Sequence, residues 1–286
     1  PPPLLRHSGR PARALLYSRA MLPVRRAVLT SLLTAGLSGV ALGDDLLREQ
    51  HSLSVAGVKE TWQLAWEAPP TPACGPDAID EAVACPCKGT AYGEAGKLAL
   101  VRKRSGNEVE RLELGPLFGQ FDGPDAPGMA TLIRWPMLDG DVARARKQDP
   151  TLPAEISRRA APTVMRFGDY NQDGAETEFL LQIGTLPCGK VQYAAIGVTA
   201  GNPHLHALGS AAHPDALLAM PLPAWHALLL KRPQSTVALQ ACGDHGSEQR
   251  SELAVSAGKD GIHAHERDFS CPEDGSAEKL LQESDW

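Results

Sequence analysis

The sequence predicts a mainly β fold, a β-sandwich or a small propeller-like array with a few short helices. Three observations carry this expectation. Short runs in which apolar and polar residues alternate recur along the chain, they outnumber helical patterns, and no strand–helix–strand alternation appears. No internal repeat is evident and only one acidic loop of its type is present, so the propeller-like array takes second place to the sandwich.

The elements follow in order. Residues 58–66 (VKETWQLAW) alternate, with Val58, Trp62, Leu64 and Trp66 on one face, as in a half-buried strand. Residues 77–84 suit a short helix. The runs 98–104 and 108–114, joined through Ser105-Gly106-Asn107, predict a hairpin. A strand is expected over 129–135, and short helices over 141–147 and 154–160, the second opening just after Pro153. Strands over 163–167 and 178–183 flank an acidic loop, and 190–199 supplies a third. In 216–230, Pro221 and Pro223 interrupt a long helix. Strands over 236–241, 251–255 and 262–268 complete the chain.

The N-terminal part reads as an export signal. From Met21, a basic pair (Arg25, Arg26) leads into the apolar stretch 27–42, closed by the small residues Ala41 and Gly43 before Asp44. These are the three regions of a secretory signal peptide, and the apolar stretch falls short of the ~20 residues a bilayer crossing needs. Residues 1–20 are expected to be an over-extended reading of the gene, 21–43 the signal peptide, and 44–286 a single β-rich domain. The expected location is periplasmic or secreted, with no membrane span after cleavage. The short Pro-rich piece 68–72 is the best candidate for an internal boundary.

The chain holds 28 basic and 34 acidic residues. All six basic residues of 1–43 are arginines, and without them 22 basic residues face 34 acidic ones, a net charge of −12. That balance argues against nucleic acid as a partner, which needs clustered positive charge. An extracellular protein or a glycan remains open as ligand.

Six cysteines, Cys74, Cys85, Cys87, Cys188, Cys242 and Cys271, fall in the exported part. In an oxidising compartment an even set reads as disulfides. Cys242 and Cys271 flank a segment of hairpin character and are expected to pair. Cys74 then joins Cys85 or Cys87, leaving the other for Cys188. A zinc or redox site on Cys85-Pro-Cys87 is the alternative, but structural zinc wants paired knuckles and only one tight pair exists.

The most informative segment is Asp169-Tyr170-Asn171-Gln172-Asp173-Gly174-Ala175-Glu176-Thr177-Glu178. Calcium takes six to eight oxygen ligands. Asp169, Asn171 and Asp173 offer side-chain oxygens at loop positions one, three and five. Gly174 permits the sharp bend, and the main-chain oxygen of Ala175 falls at position seven. Position twelve is Leu180, where an EF-hand carries a bidentate Glu, and the flanks suit strands rather than helices. The segment resembles the calcium loop of the FG-GAP, integrin-type propeller element over about a dozen residues. That resemblance implies a last acidic ligand at position nine, which here is Thr177. The acid is displaced to Glu176 or Glu178, and Glu178, opening the next strand, is the stronger candidate. A solvated turn is the plain alternative, since Asp, Asn and Gly are ordinary turn residues.

Two histidine pairs, His204/His206 and His263/His265, each place two imidazoles on one face if the backbone is extended. With His213 or Glu266 as third ligand they would suit a zinc-dependent hydrolase. No G-x-S-x-G, P-loop, G-x-G-x-x-G or H-E-x-x-H motif is present. The leading expectation is an exported binding or structural module carrying one structural Ca2+ site. The zinc hydrolase is the alternative.

Overall fold

Antiparallel pairing dominates because successive alternating runs are joined by turns only two residues long. Strand β1 (Leu46–Val55) meets β2 (Val58–Trp66) through Ala56-Gly57, both at positive φ (49° and 80°). Such left-handed turns match the twist of a hairpin. The computed structural model describes residues 46–73, 92–119, 128–186, 190–272 and 276–286. The helix expected over 77–84 lies outside them, as do Cys74, Cys85, Cys87 and Cys188.

The remaining strands are β3 (Thr71–Ala73), β4 (Gly93–Gly96), β5 (Leu98–Arg104), β6 (Asn107–Glu113), β7 (Ala130–Ile133), β8 (Phe167–Gly168), β9 (Glu178–Leu186), β10 (Lys190–Gly197), β11 (His206–Ala207), β12 (Ser235–Gln240), β13 (Gln249–Gly258), β14 (Gly261–Ser270) and β15 (Leu280–Asp285). They form four antiparallel sheets, in the orders β1-β2-β5-β6, β3-β4-β7, β11-β10-β9-β8 and β12-β13-β14-β15. The helices are short: α1 (Gly115–Phe118), α2 (Asp141–Arg146), α3 (Leu152–Ile156) and α4 (Leu222–Leu229). The expected mainly β class is the observed one.

The β9–β10 hairpin is buried on both faces, and its alternation shows how. Phe179, Leu181 and Ile183 of β9, with Ala194 and Ile196 of β10, pack against Trp62, Leu64, Leu98 and Leu100 of the first sheet. The intervening positions, Leu180, Tyr193 and Ala195, join the opposite core with Trp225 and Leu228 of α4 and with Leu253, Val255 and Ile262 of β13 and β14. The third sheet is therefore the middle layer, with one apolar core on either side. Each fully buried large side chain in these cores stabilises by about 1.5–3 kcal/mol.

Several expected elements shift. Val58 is exposed because it sits at the turn, while Trp62, Leu64 and Trp66 are buried as the alternation requires. The 98–114 hairpin turns on Ser105-Gly106 alone, both at positive φ, so Asn107 already belongs to β6. The strand expected over 129–135 narrows to β7, and the one over 163–167 to β8. Its residues Val164 and Met165 give their N–H groups to the Glu49 carboxylate at 2.7 and 3.0 Å instead of to a neighbouring strand. Helix α3 starts before Pro153, not after it, since a helix's first turn has no use for the missing N–H.

Candidate metal centre

The acidic loop leaves the two-residue strand β8, turns, and returns as β9. Gly168 at its root packs closely: a Cβ there would lie 2.7 Å from Leu229 Cδ1 and 3.1 Å from the Tyr170 ring, so Leu229 would have to give way. The bend expected at Gly174 is present, with φ at 95°. Three side chains organise the turn. Gly174 N–H points to Asp169 Oδ1 at 3.4 Å, Asp173 N–H donates to Asn171 Oδ1 at 3.0 Å, and Ala175 N–H donates to Asp173 Oδ1 at 2.9 Å. Asn171 Nδ2 also donates to Asp173 Oδ2 at 3.1 Å. Asp173 Oδ2 in addition accepts the Ala200 N–H at 2.7 Å, so the loop is tied to the chain just beyond β10.

Beneath the turn lies Glu178, fully buried, whereas Glu176 is exposed. Glu178 accepts the Tyr170 N–H at 3.1 Å and the Thr177 hydroxyl at 3.0 Å. Burial, opposed by those two hydrogen bonds and aided by the nearby charges of Asp173 and Asp169, pushes its carboxyl up to about 8. Burial is the largest of these causes, so Glu178 is mostly protonated at neutral pH. Among the described residues one cation meets the loop: Lys231, just past α4, places its Nζ 2.9 Å from Asp169 Oδ2 while most of its own side chain stays exposed.

No known protein family, curated protein or solved structure matches the chain.

The donor set fits a hard, oxygen-seeking cation: three carboxylates and an amide oxygen within ten residues, all drawn from one turn. As the side chains stand, however, no three His, Cys, Asp or Glu residues among those described converge closely enough to hold a metal ion. Both Asp173 oxygens accept N–H donors and Asp169 is held by Lys231, which accounts for that arrangement.

The other expected site residues are dispersed. Cys242 and Cys271 form the expected disulfide, with an S–S distance of 2.06 Å. His204 Nδ1 is 3.3 Å from Glu110 Oε1, and His206 Nδ1 is 2.8 Å from the His204 carbonyl. His263 and His265 share an outward face of β14, where they meet Asp260 at 3.1 Å and Asp285 at 2.8 Å. An open groove of about 690 Å³ does bring Asn171, Asp173 and His206 together, with Asp215 and Asp260 on its far side. Sequence reasoning missed Lys231 and the Ala200 N–H. Lys231 lies 62 residues from Asp169, and a main-chain donor leaves no mark in residue type.

Proposed function

We propose that the chain is exported to an oxidising compartment, periplasmic or extracellular, and acts there as a binding or structural module braced by one calcium ion in the Asp169–Glu178 loop. The observation that carries the reading is the burial of Glu178 within electrostatic reach of Asp169 and Asp173, three carboxyl groups met among the described residues by a single exposed lysine. Asp169, Asn171, Asp173, Glu178 and the main-chain oxygen of Ala175 would hold the ion, in keeping with the FG-GAP-like spacing of the loop. The bound ion would supply charge that the fold lacks at this point. The chain's own residues do the rest: Gly174 sets the bend, Thr177 and the Tyr170 N–H orient Glu178, and Asp173 carries the bracing on to Ala200. The Cys242–Cys271 disulfide supports the oxidising compartment. Among the described residues no helix is long and apolar enough to cross a membrane.

The test is calorimetric titration of calcium into protein purified from an oxidising compartment, with thermal melting in parallel. The expected result is a stabilisation that grows with RT ln(1 + [L]/Kd) and vanishes in Asp169→Ala/Asp173→Ala. No heat and no shift up to about 10 mM, above the range of extracellular calcium modules, would overturn the reading. Stoichiometric zinc that survives dialysis would instead favour the hydrolase built on the histidine pairs.

A further inference from the structure

A second concavity, of about 300 Å³, lies on the α4 side of the middle sheet and shares only Tyr170 with the acidic loop. Its walls are apolar, with Ile133, Val164 and Leu180 among them. Thr131, Thr163 and Gln182 add neutral polar groups. Arg166 and His226 line it together with the Tyr170 and Tyr193 rings, and no Asp or Glu is among the described lining residues, in a chain where acids outnumber bases. Arg166 makes no ion pair and no side-chain hydrogen bond among the described residues.

Tyr170 brings a hydroxyl donor to the cavity. The residue is 4% exposed and its ring stands edge-on to Trp225 at 6.0 Å, but its hydroxyl oxygen stays open to solvent and makes no hydrogen bond to the described residues. A phenol that lines the cavity with no protein partner for its hydroxyl is a donor available to a ligand. Tyr193 repeats the pattern: its backbone is engaged, with Trp225 Nε1 donating to its carbonyl at 2.9 Å, while its hydroxyl is not. Burial pushes the Tyr193 phenol above the ordinary tyrosine range, so it is held as an O–H donor.

We infer that this cavity binds a small amphipathic carboxylate, its apolar body against Ile133, Val164 and Leu180 and its carboxylate on Arg166 and the Tyr170 and Tyr193 hydroxyls. A guanidinium matches a carboxylate in a fork geometry, and the apolar wall gives no recognition to a bare inorganic anion. The volume sits at the low end for ligand sites, which sets the ligand's size at a short chain or a single ring.

The experiment is calorimetry of the purified protein with hexanoate, with 1-hexanol as its neutral match and with inorganic phosphate. Saturable one-to-one binding of hexanoate is expected, about ten-fold or more tighter than hexanol, with phosphate silent. Arg166→Gln weakens hexanoate about ten-fold and leaves hexanol unchanged, and Tyr193→Phe weakens hexanoate by a smaller factor. Equal affinity for hexanoate and hexanol, indifference to Arg166→Gln, or no heat from hexanoate would each overturn the assignment. Because neither substitution touches an oxygen donor of the acidic loop, loss of this site is separable from loss of the calcium site.

Discussion

Arg102 Nε lies 2.8 Å from Glu60 Oε2, and Arg102 Nη2 lies 2.9 Å from Glu60 Oε1, with both side chains almost sealed from solvent. The pair spans β2 and β5, and it does more than neutralise itself. Arg102 Nη1 reaches the Pro203 carbonyl at 2.7 Å, and Glu110 of β6 accepts the Leu205 N–H at 2.9 Å, so the first sheet grips the segment that follows β10. Removing Arg102 takes two hydrogen bonds from buried Glu60 and leaves it only the half-exposed Arg104 as ion-pair partner among the described residues. Arg102→Met is expected to cost about 3–5 kcal/mol, and adding Glu60→Gln should return part of that. Urea denaturation of the two single variants and the double variant measures both figures.

The same pair sets the acid limit of the fold. Burial raises the Glu60 carboxyl, but hydrogen bonds from Arg102, Trp62 and Arg104 outweigh it and bring it down to about 2. A carboxyl depressed in the folded state contributes stability that is complete above its unfolded value, 4.5, and is lost as pH falls toward 2. The amount at stake is about 3 kcal/mol. Stability of the wild type should fall across that window, and Glu60→Gln, already weaker at neutral pH, should fall less. Denaturant melts between pH 6 and 2 check the slopes.

Cys242 and Cys271, 29 residues apart, close a loop that contains the whole of β13 and β14. Chain entropy alone assigns such a loop roughly 3–4 kcal/mol. Cys242→Ala/Cys271→Ala should lose about that much, and reducing agent should bring the wild type down toward the double variant. Scanning calorimetry with and without reductant distinguishes the two.

Gly197 closes β10 opposite Glu178, and a Cβ there would stand 2.2 Å from the Thr177 carbonyl and 2.8 Å from Glu178 Cα. Both obstacles are backbone and cannot rotate away. Gly197→Ala should destabilise by about 1–3 kcal/mol and should also weaken calcium binding, since the shift falls on the segment that carries Glu178. Thermal melting with and without calcium reads the two effects separately.

Legibility in the sequence followed the strength of the local pattern. The run 58–66 was readable as a strand apart from Val58 at the turn, because Trp62, Leu64 and Trp66 recur at every second position and face a core. The strand β1 went unseen for the opposite reason. Its residues LLREQHSLSV are mostly solvent-facing, and what holds them is pairing with β2, a partner that no periodicity announces. The calcium-type turn was legible because a left-handed bend calls for glycine, and Gly174 follows Asp173 directly. Its surroundings were not: Lys231, Ala200 and the partnerless Tyr170 hydroxyl come from long-range packing. The Cys242–Cys271 bridge could be read from spacing because a hairpin brings its two ends together.

The hydrogen bond from Ala200 to Asp173 gives the middle hairpin a gauge of its own pairing. A slip of one residue between β9 and β10 would turn their apolar side chains to the wrong face, and the two cores forbid it. A slip of two residues keeps every side chain on its proper face, so hydrophobic matching alone tolerates it. It would, however, carry Ala200 about 7 Å along the strand, out of reach of the carboxylate it meets at 2.7 Å. Asp173 thereby discriminates between registers that the cores treat as equivalent, and a residue of the acidic turn also proofreads the alignment of the strands beneath it.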